Sequence, residues 1–288
     1  MPSILRRMQC CLRLSASRPA RWNRARWRPS LELLEGRLLP TMTFPVTSTG
    51  DSGPNTLRQA ILDANANPGV DLITFNISAV GVQVIKPATP LPSITDAVKI
   101  DGTTQPGYAS TPLIQLDGTL AGTGANGLSI TTSNCTLLGL DVTHFSADGI
   151  FVQAGNNNTF QSNIIGLDPT GTKGQGNLLY GIELAGGSKG NLIGSNGDGV
   201  NDTAERNLLS GNGKSGVRIV GTGTSQNVVA GNYIGTNIGG TSGIGNGRDG
   251  VSIEGGAASN RIGTDGMSVD DAGQRNLISG SRQRSGHH

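Results

Sequence analysis

The sequence predicts an all-β protein, a right-handed parallel β-helix (solenoid) of about six to seven coils with a short N-terminal capping helix. Three observations lead there: segments recur at one fixed offset, glycine opens a series of short alternating strands, and the composition is glycine-rich but poor in aromatics. Of 288 residues 45 are Gly, against 3% aromatic and 15% charged. That balance does not suit a compact aromatic core, and at 35% hydrophobic it is too apolar for a disordered chain. Many tight turns between short strands fit it better.

The chain begins with a basic leader, residues 1–43. Residues 1–30 carry eight Arg and no acid, and the remainder holds 14 basic against 20 acidic groups. A basic arm can bind nucleic acid, but the acidic body argues against it, so no nucleic-acid partner is expected. The leader lacks the apolar run of an ordinary secretory signal, and no stretch of 18 apolar residues exists to form a transmembrane helix. Cys10 and Cys11 are adjacent in the leader and Cys135 stands alone on an expected strand, so no disulfide framework is present. Cys135 reads as a small packed side chain.

Residues 44–97 read as an N-terminal cap. Leu57, Ala60, Ile61 and Ala64 follow the spacing of one apolar helix face, which predicts a helix over about 55–66. Thr56 and Gln59 make a capping box at its start, and Asn67-Pro68-Gly69 stops it. A strand over 72–77 comes next. A helix this short is not stable alone, so it is expected across the open end of the strand stack.

Coils are expected over 98–280. Tyr180–Leu184 matches Asp249–Ile253, Asn191–Gly194 matches Asn260–Gly263, and Arg206–Gly211 matches Arg275–Gly280, each 69 residues on. Inside this sits a finer pattern. Glycine opens a G-h-x-h strand (h, aliphatic) at Gly127, Gly149, Gly181, Gly216 and Gly250, in steps of 22, 32, 35 and 34 residues. A 22-residue step suits three strands and three turns. The longer steps leave room for one protruding loop, at 167–177, 195–205 or 238–248.

Within those strands the pairs Leu128/Ile130, Ile150/Val152, Ile182/Leu184, Val217/Ile219 and Val251/Ile253 point to one face. No unit can bury that face alone, so like stacks on like and the ladder is parallel. The recurring Asn163, Asn212 and Asn232 are expected at one corner in successive coils. A corner needs a left-handed residue, which Asn tolerates, and stacked amides can hydrogen-bond along the axis.

These residues carry two resemblances. The segment Arg28-Pro29-Ser30-Leu31-Glu32-Leu33-Leu34-Glu35-Gly36-Arg37-Leu38-Leu39-Pro40 resembles one near the start of large surface proteins of planctomycete bacteria, which implies export. Leu57–Asn65, Asp71–Phe75, Ile100–Tyr108 and the N-x-h-x-G-N-x-h-G units resemble bacterial secreted β-helix proteins with a CSLREA-like opening. That resemblance implies a pectate-lyase-like β-helix over roughly 44–280, on a secreted or cell-envelope protein. The pattern breaks at 281–288, where Ser281 replaces the corner Asn and the next strand does not arrive. An irregular, uncapped tail of a truncated or frame-shifted chain is the expectation there.

Chemistry is sought on the outward face of the G-h-x-h sheet. Its residues are Ser129, Phe151, Glu183, Arg218 and Ser252, followed by Thr131, Gln153, Ala185, Val220 and Glu254. Glu183 and Arg218 fall on adjacent coils and read as a cross-strand ion pair. Glu183 and Glu254 come out roughly 12 Å apart at ordinary strand spacing and rise, beyond the ~5–9.5 Å of glycosidase carboxylates. Asp141 and His144, three apart on one strand, face opposite ways and read as a solvated corner. The acidic loops hold Asp198 and Asp202, then Asp265, Asp270 and Asp271. Without the spacing of a known calcium loop they read as ordinary solvated turns and no cofactor is expected, the alternative being weak Ca²⁺ binding by Asp198, Asp202, Asp270 and Asp271. No phosphate-binding or dinucleotide motif follows a strand.

The reading is therefore an extracellular or cell-envelope structural, adhesive or interaction module whose partners are extracellular polysaccharide or cell-surface components. The rival is a polysaccharide lyase or glycoside hydrolase, with Glu183, Arg218 and Glu254 as catalytic candidates. Loops 167–177 and 238–248 walling a groove over Arg218 would favour the rival. A secreted passenger lacks a supporting translocator segment in the sequence.

Overall fold

The computed structural model describes residues 41–266 and 271–280, all within one compact unit that begins at Leu38. Residues 1–40 of the leader, Asp270 and the 281–288 tail lie outside the described residues, while Thr43, at the end of the expected leader, already opens the first strand.

The chain is a parallel β-helix built from three sheets. Sheet A has eight strands: Thr43–Val46, Asp71–Phe75, Val98–Asp101, Thr136–Leu138, Thr159–Gln161, Leu192–Gly194, Val228–Ala230 and Arg261–Ile262. Sheet B has seven: Gln83–Ile85, Ile114–Asp117, Leu140–Thr143, Ile164–Ile165, Leu208–Leu209, Tyr233–Ile234 and Leu277–Ile278. Sheet C has five, Leu128–Ile130, Ile150–Gln153, Ile182–Ala185, Val217–Val220 and Val251–Glu254, which are the G-h-x-h segments in sequence order. Neighbours within each sheet pair in parallel. Segments matched at 69 residues stand two coils apart, with Val217–Val220 between Ile182–Ala185 and Val251–Glu254. Parallel stacking starts before residue 98, because Thr43–Val46 and Asp71–Phe75 already belong to sheet A.

The aliphatic column is as the alternation requires. Leu128, Ile130, Ile150, Val152, Ile182, Leu184, Val217 and Ile219 are buried in one interior cluster. Val251 packs against it half-buried, while Ile253, on the last described strand of sheet C, is 44% exposed.

The helix α1 spans Leu57–Ala66 and buries the four residues its periodicity selects, Leu57, Ala60, Ile61 and Ala64, in that cluster. The expected capping box forms by half. Thr56 Oγ1 accepts from the Gln59 amide at 3.3 Å, but the Gln59 side chain donates to Asp63 instead of returning to Thr56. Polar residues of the opening motif clasp the cap. Arg58 pairs with Asp51 at 2.6 Å and donates to the Thr89 and Pro90 carbonyls, and Asn65 receives Thr95 N–H at 2.8 Å.

The asparagines form three ladders. One runs Asn163, Asn207, Asn232, Asn276 at 3.0, 2.9 and 3.2 Å, each side-chain amide donating to the next side-chain oxygen. A second runs Asn158, Asn191, Asn227, Asn260, joined among the last three at 2.8 and 2.9 Å, and Asn158 N–H donates to Asn191. The third runs Asn177, Asn212, Asn246 at 3.0 and 3.2 Å. Asn212 therefore stands at a different corner from Asn163 and Asn232; their true equivalent is Asn207. The left-handed residue is also not the ladder Asn but often the one before it: Ser162, Gly211, Gln226 and Gly231 have φ of 59, 73, 61 and 70°. Left-handed backbone there aims the following amide up the stack.

The glycine opening each sheet C strand answers to crowding. A Cβ on Gly181 would stand 2.5 Å from the Gly216 carbonyl oxygen one coil up, and one on Gly127 would stand 2.4 Å from that of Gly149.

Candidate functional site

Sheet C presents outward the column read from sequence. Ser129, Phe151, Glu183, Arg218 and Ser252 are successive register partners, and Val220 pairs with Glu254. Arg218 grips two carboxylates at once, Glu183 through Nη1 at 3.2 Å and Glu254 through Nε at 2.7 Å. One guanidinium joins them, so these carboxylates lie closer together than strand spacing alone puts them. The exclusion by distance falls, and another takes its place. The Arg218 hydrogen bond holds the Glu254 carboxyl below its ordinary range, which leaves it ionised and tied, unfit to donate a proton.

Beside this trio lies Asp148, which the sequence reading passed over. It precedes Gly149 as Tyr180 precedes Gly181, and Tyr180 N–H donates to its Oδ1 at 3.0 Å. Burial pushes its carboxyl up to about 6; the Tyr180 hydrogen bond opposes the rise and the Glu183 charge adds to it. It is 5% exposed. The ring of buried Tyr180 is flanked by cations, with Lys214 Nζ 5.0 Å and the Arg218 guanidinium 4.9 Å from its centre. Tyr180 is only 4% exposed, and a ring so buried is no platform for a sugar.

The long loops lean the other way. Leu167 packs with Ile164 and Leu208 on the outer face of sheet B, joined by Tyr233 and Ile244, and Ile238 N–H reaches Gly171 O at 2.9 Å. They cover sheet B and do not rise as walls over Arg218.

That cover leaves a cleft of about 360 Å³ whose floor is Ile164, Leu208, Tyr233 and Ile238. Its rim includes Ser110, Ser162, Asn201, Thr203 and Arg206. The Arg206 guanidinium lies 3.9 Å from the centre of the Tyr233 ring, and its Nε donates to Gly231 O at 3.1 Å. Among the described residues no carboxylate lines this cleft. The size and the apolar floor with a few polar groups suit a ligand site. Sequence reasoning missed it because two-residue strands show no alternation. The available signal was the repeated N-h-h unit, as in Asn163-Ile164-Ile165 and Asn207-Leu208-Leu209, where one of two consecutive apolar residues must face outward.

The acidic loop is self-contained. Asp202 accepts from Ser195 Oγ at 2.6 Å and from the amides of Gly197 and Gly199 at 3.1 and 2.9 Å, while Asp198 accepts from Val200 N at 2.7 Å. Asp265 approaches Arg261 at 4.0 Å, and Asp271 accepts from Thr264 Oγ1. Among the described residues no group of three His, Cys, Asp or Glu side chains converges on a metal position. Asp141 is not a solvated corner: it is 0% exposed beside Gln115, whose side chain meets Gln175 of the 167–177 loop, while His144 is exposed and bonds to Asp117 at 3.2 Å. Among the described residues no helix is long and apolar enough to cross a membrane.

No protein-family model and no curated protein matches the chain. Among solved structures it is similar to one titled "Crystal structure of pectate lyase Pel9A", at 17% identity and a TM-score of 0.35, over 78% of this chain and 63% of that one. The chain thus spans less than two thirds of that protein's length. The fold assignment rests on the strand register and not on this match.

Proposed function

We propose that the chain is an extracellular or cell-envelope β-helix acting as a binding module, and that the sheet B cleft holds a unit of an anionic polysaccharide. One observation carries this reading. The open cleft offers an aromatic floor and an arginine but no carboxylate among the described residues, while the carboxylate-bearing face of sheet C is tied off by Arg218. The terminal nitrogens of Arg206 suit a uronate carboxyl, and the exposed part of Tyr233 suits the sugar ring beside it. Titration with oligogalacturonate should give saturable binding weakened at least tenfold by Arg206→Ala. Equal affinity in that variant would remove the cleft assignment.

A second reading is a polysaccharide lyase or glycoside hydrolase working on sheet C. It is favoured by Asp148, whose carboxyl rises to about 6 beside Glu183. A depolymerisation screen on anionic glycans, with and without Ca²⁺, separates the two. Turnover abolished by Arg218→Ala and by Asp148→Asn would establish the catalyst and retire the binding module.

A further inference from the structure

Asp141 sits on the outward face of the strand Leu140–Thr143, in register between Gln115 on one neighbouring coil and Ile164 on the other. It is 0% exposed, and among the described residues neither carboxylate oxygen has a hydrogen-bond partner. Among the described residues the only other buried side-chain polar atom without a partner is the Ser252 hydroxyl oxygen, so an unmatched carboxylate calls for a cause. Burial, with the Asp168 charge adding to it, drives the Asp141 carboxyl well above its ordinary range, against the approach of the Gln115 side-chain amide, which lowers it. An ionised carboxylate left so would cost several kcal/mol.

The surroundings are rich in oxygen and short of positive charge. The loop over Asp141 folds back as a small hairpin, in which Leu167 bridges Gly174 in antiparallel fashion, Gln175 N–H donates to Gly166 O at 2.9 Å, and His144 N–H donates to Gln175 O at 3.2 Å. The Gln115 side-chain nitrogen lies 3.4 Å from both Gln175 Oε1 and Thr143 Oγ1, too long for strong hydrogen bonds. The oxygen and nitrogen of such an amide exchange places by a flip, which would turn a third oxygen to this space. Three carboxylates influence the region, and two have their own lysine. Asp117 pairs with Lys86 at 3.1 Å and also meets His144, and Asp168 feels Lys173 while accepting from the amides of Thr172 and Lys173. Among the described residues Asp141 has no cation.

We propose that Asp141 anchors a Ca²⁺ site beneath the 167–177 hairpin, completed by the side-chain oxygens of Gln115, Gln175 and Thr143. Neither oxygen of Asp141 is engaged by a donor within hydrogen-bond distance, and the remaining ligands would be neutral oxygens, which a hard cation takes. Calcium fits better than magnesium, because amide and hydroxyl oxygens on three separate segments favour loose, irregular coordination over a strict octahedron. A single anionic ligand places affinity at the weak end of protein calcium sites, about 10⁻⁴–10⁻³ M. The ion would pin the hairpin to sheet B and, through the Gly171 carbonyl that receives Ile238 N–H, steady one residue that lines the cleft. The acidic loop with Asp198 and Asp202 is a separate place, already satisfied by its own amides.

The test is thermal unfolding and calorimetric titration of the full chain with CaCl₂, MgCl₂ and KCl, each against a chelator control. Saturating Ca²⁺ should raise the midpoint by about 2–5 °C, with Mg²⁺ and K⁺ having less effect. Asp141→Asn should lose that rise, yet in chelator be at least as stable as the parent, since the cost of burying an ionisable carboxyl without a partner has gone. Gln175→Met, which leaves the hairpin backbone intact, should weaken Ca²⁺ binding several-fold and guards against a variant that fails to fold. No Ca²⁺ response in the parent would overturn the proposal. So would an undiminished response in both variants, or one abolished only by Asp198→Asn.

Discussion

Asp148 shows how one side chain acquires its chemistry from the coil above. Nothing in Ser146-Ala147-Asp148-Gly149 marks it, because burial lifts its carboxyl to about 6 while the neighbours that act on it, the Tyr180 amide that opposes the rise and the Glu183 charge that adds to it, come from the next coil. The native state therefore binds this proton more tightly than the unfolded chain does. With a raised folded value, the stabilising contribution is fully present below about pH 4 and is lost as pH climbs to about 6, a swing of roughly 2–3 kcal/mol. Asp148→Asn keeps the oxygen that receives Tyr180 N–H and removes the ionisation. Relative to the parent it should be stabilised by about 1–2 kcal/mol at pH 7 and be near neutral at pH 4. Urea unfolding at the two pH values reads this, and destabilisation at pH 7 would contradict it. Cys135 is the opposite case, legible from its setting. Burial holds its thiol up at about 11, so it packs and does not react.

At the level of strands and corners, legibility in the sequence depended on length. Sheet C was legible to the residue because three or four consecutive positions display the alternation, so Glu183, Arg218 and Glu254 were placed on one outward face. Sheet B was not, since strands such as Ile164–Ile165 are too short to show a period, and its cleft went unread. Asp141 was read as part of a solvated corner and is buried, because what covers it comes from segments distant in the sequence. Corner Asn residues were recognised as ladders, but assigning Asn212 to the Asn163 corner confused two ladders. Asn212 and Asn246 are followed by glycine where Asn163, Asn207 and Asn232 run into a strand. Asn177, of the same ladder as Asn212, is followed by Leu178 and Leu179, so the residue after the Asn does not separate the two. The ladder carries a prediction. Asn207 accepts from Asn163 through two hydrogen bonds at 3.0 Å and donates to Phe160 O at 2.7 Å and to Asn232 at 2.9 Å. Asn207→Ala strands these buried groups and should cost about 3–5 kcal/mol. Asn276→Ala, at the half-buried end of the same ladder, should cost about 1–2 kcal/mol. Chemical denaturation compares them, and equal costs would mean that stacking along the axis adds nothing.

Across the whole molecule, stability is a sum over neighbouring coils, so the cost of one change depends on how far along the stack it falls. Ile219 lies on the fourth strand of sheet C with coils on both sides, and it is fully buried. Ile253 holds the equivalent place one coil on, with the same chemistry, but is 44% exposed. Truncating Ile219 removes contacts with strands above and below and leaves a void that a closed stack cannot collapse, at a cost of about 3–4 kcal/mol. Truncating Ile253 should cost under about 1 kcal/mol. At the other end α1 closes the column, and Ile61, fully buried among the first strands, belongs with Ile219 despite its place near the terminus. The expected order of destabilisation is thus Ile219→Ala and Ile61→Ala together, well ahead of Ile253→Ala, as read from denaturation midpoints. If Ile61→Ala behaved like Ile253→Ala, the helix would be an ornament on the stack, and the coils would have to shield their first apolar layer by some other means.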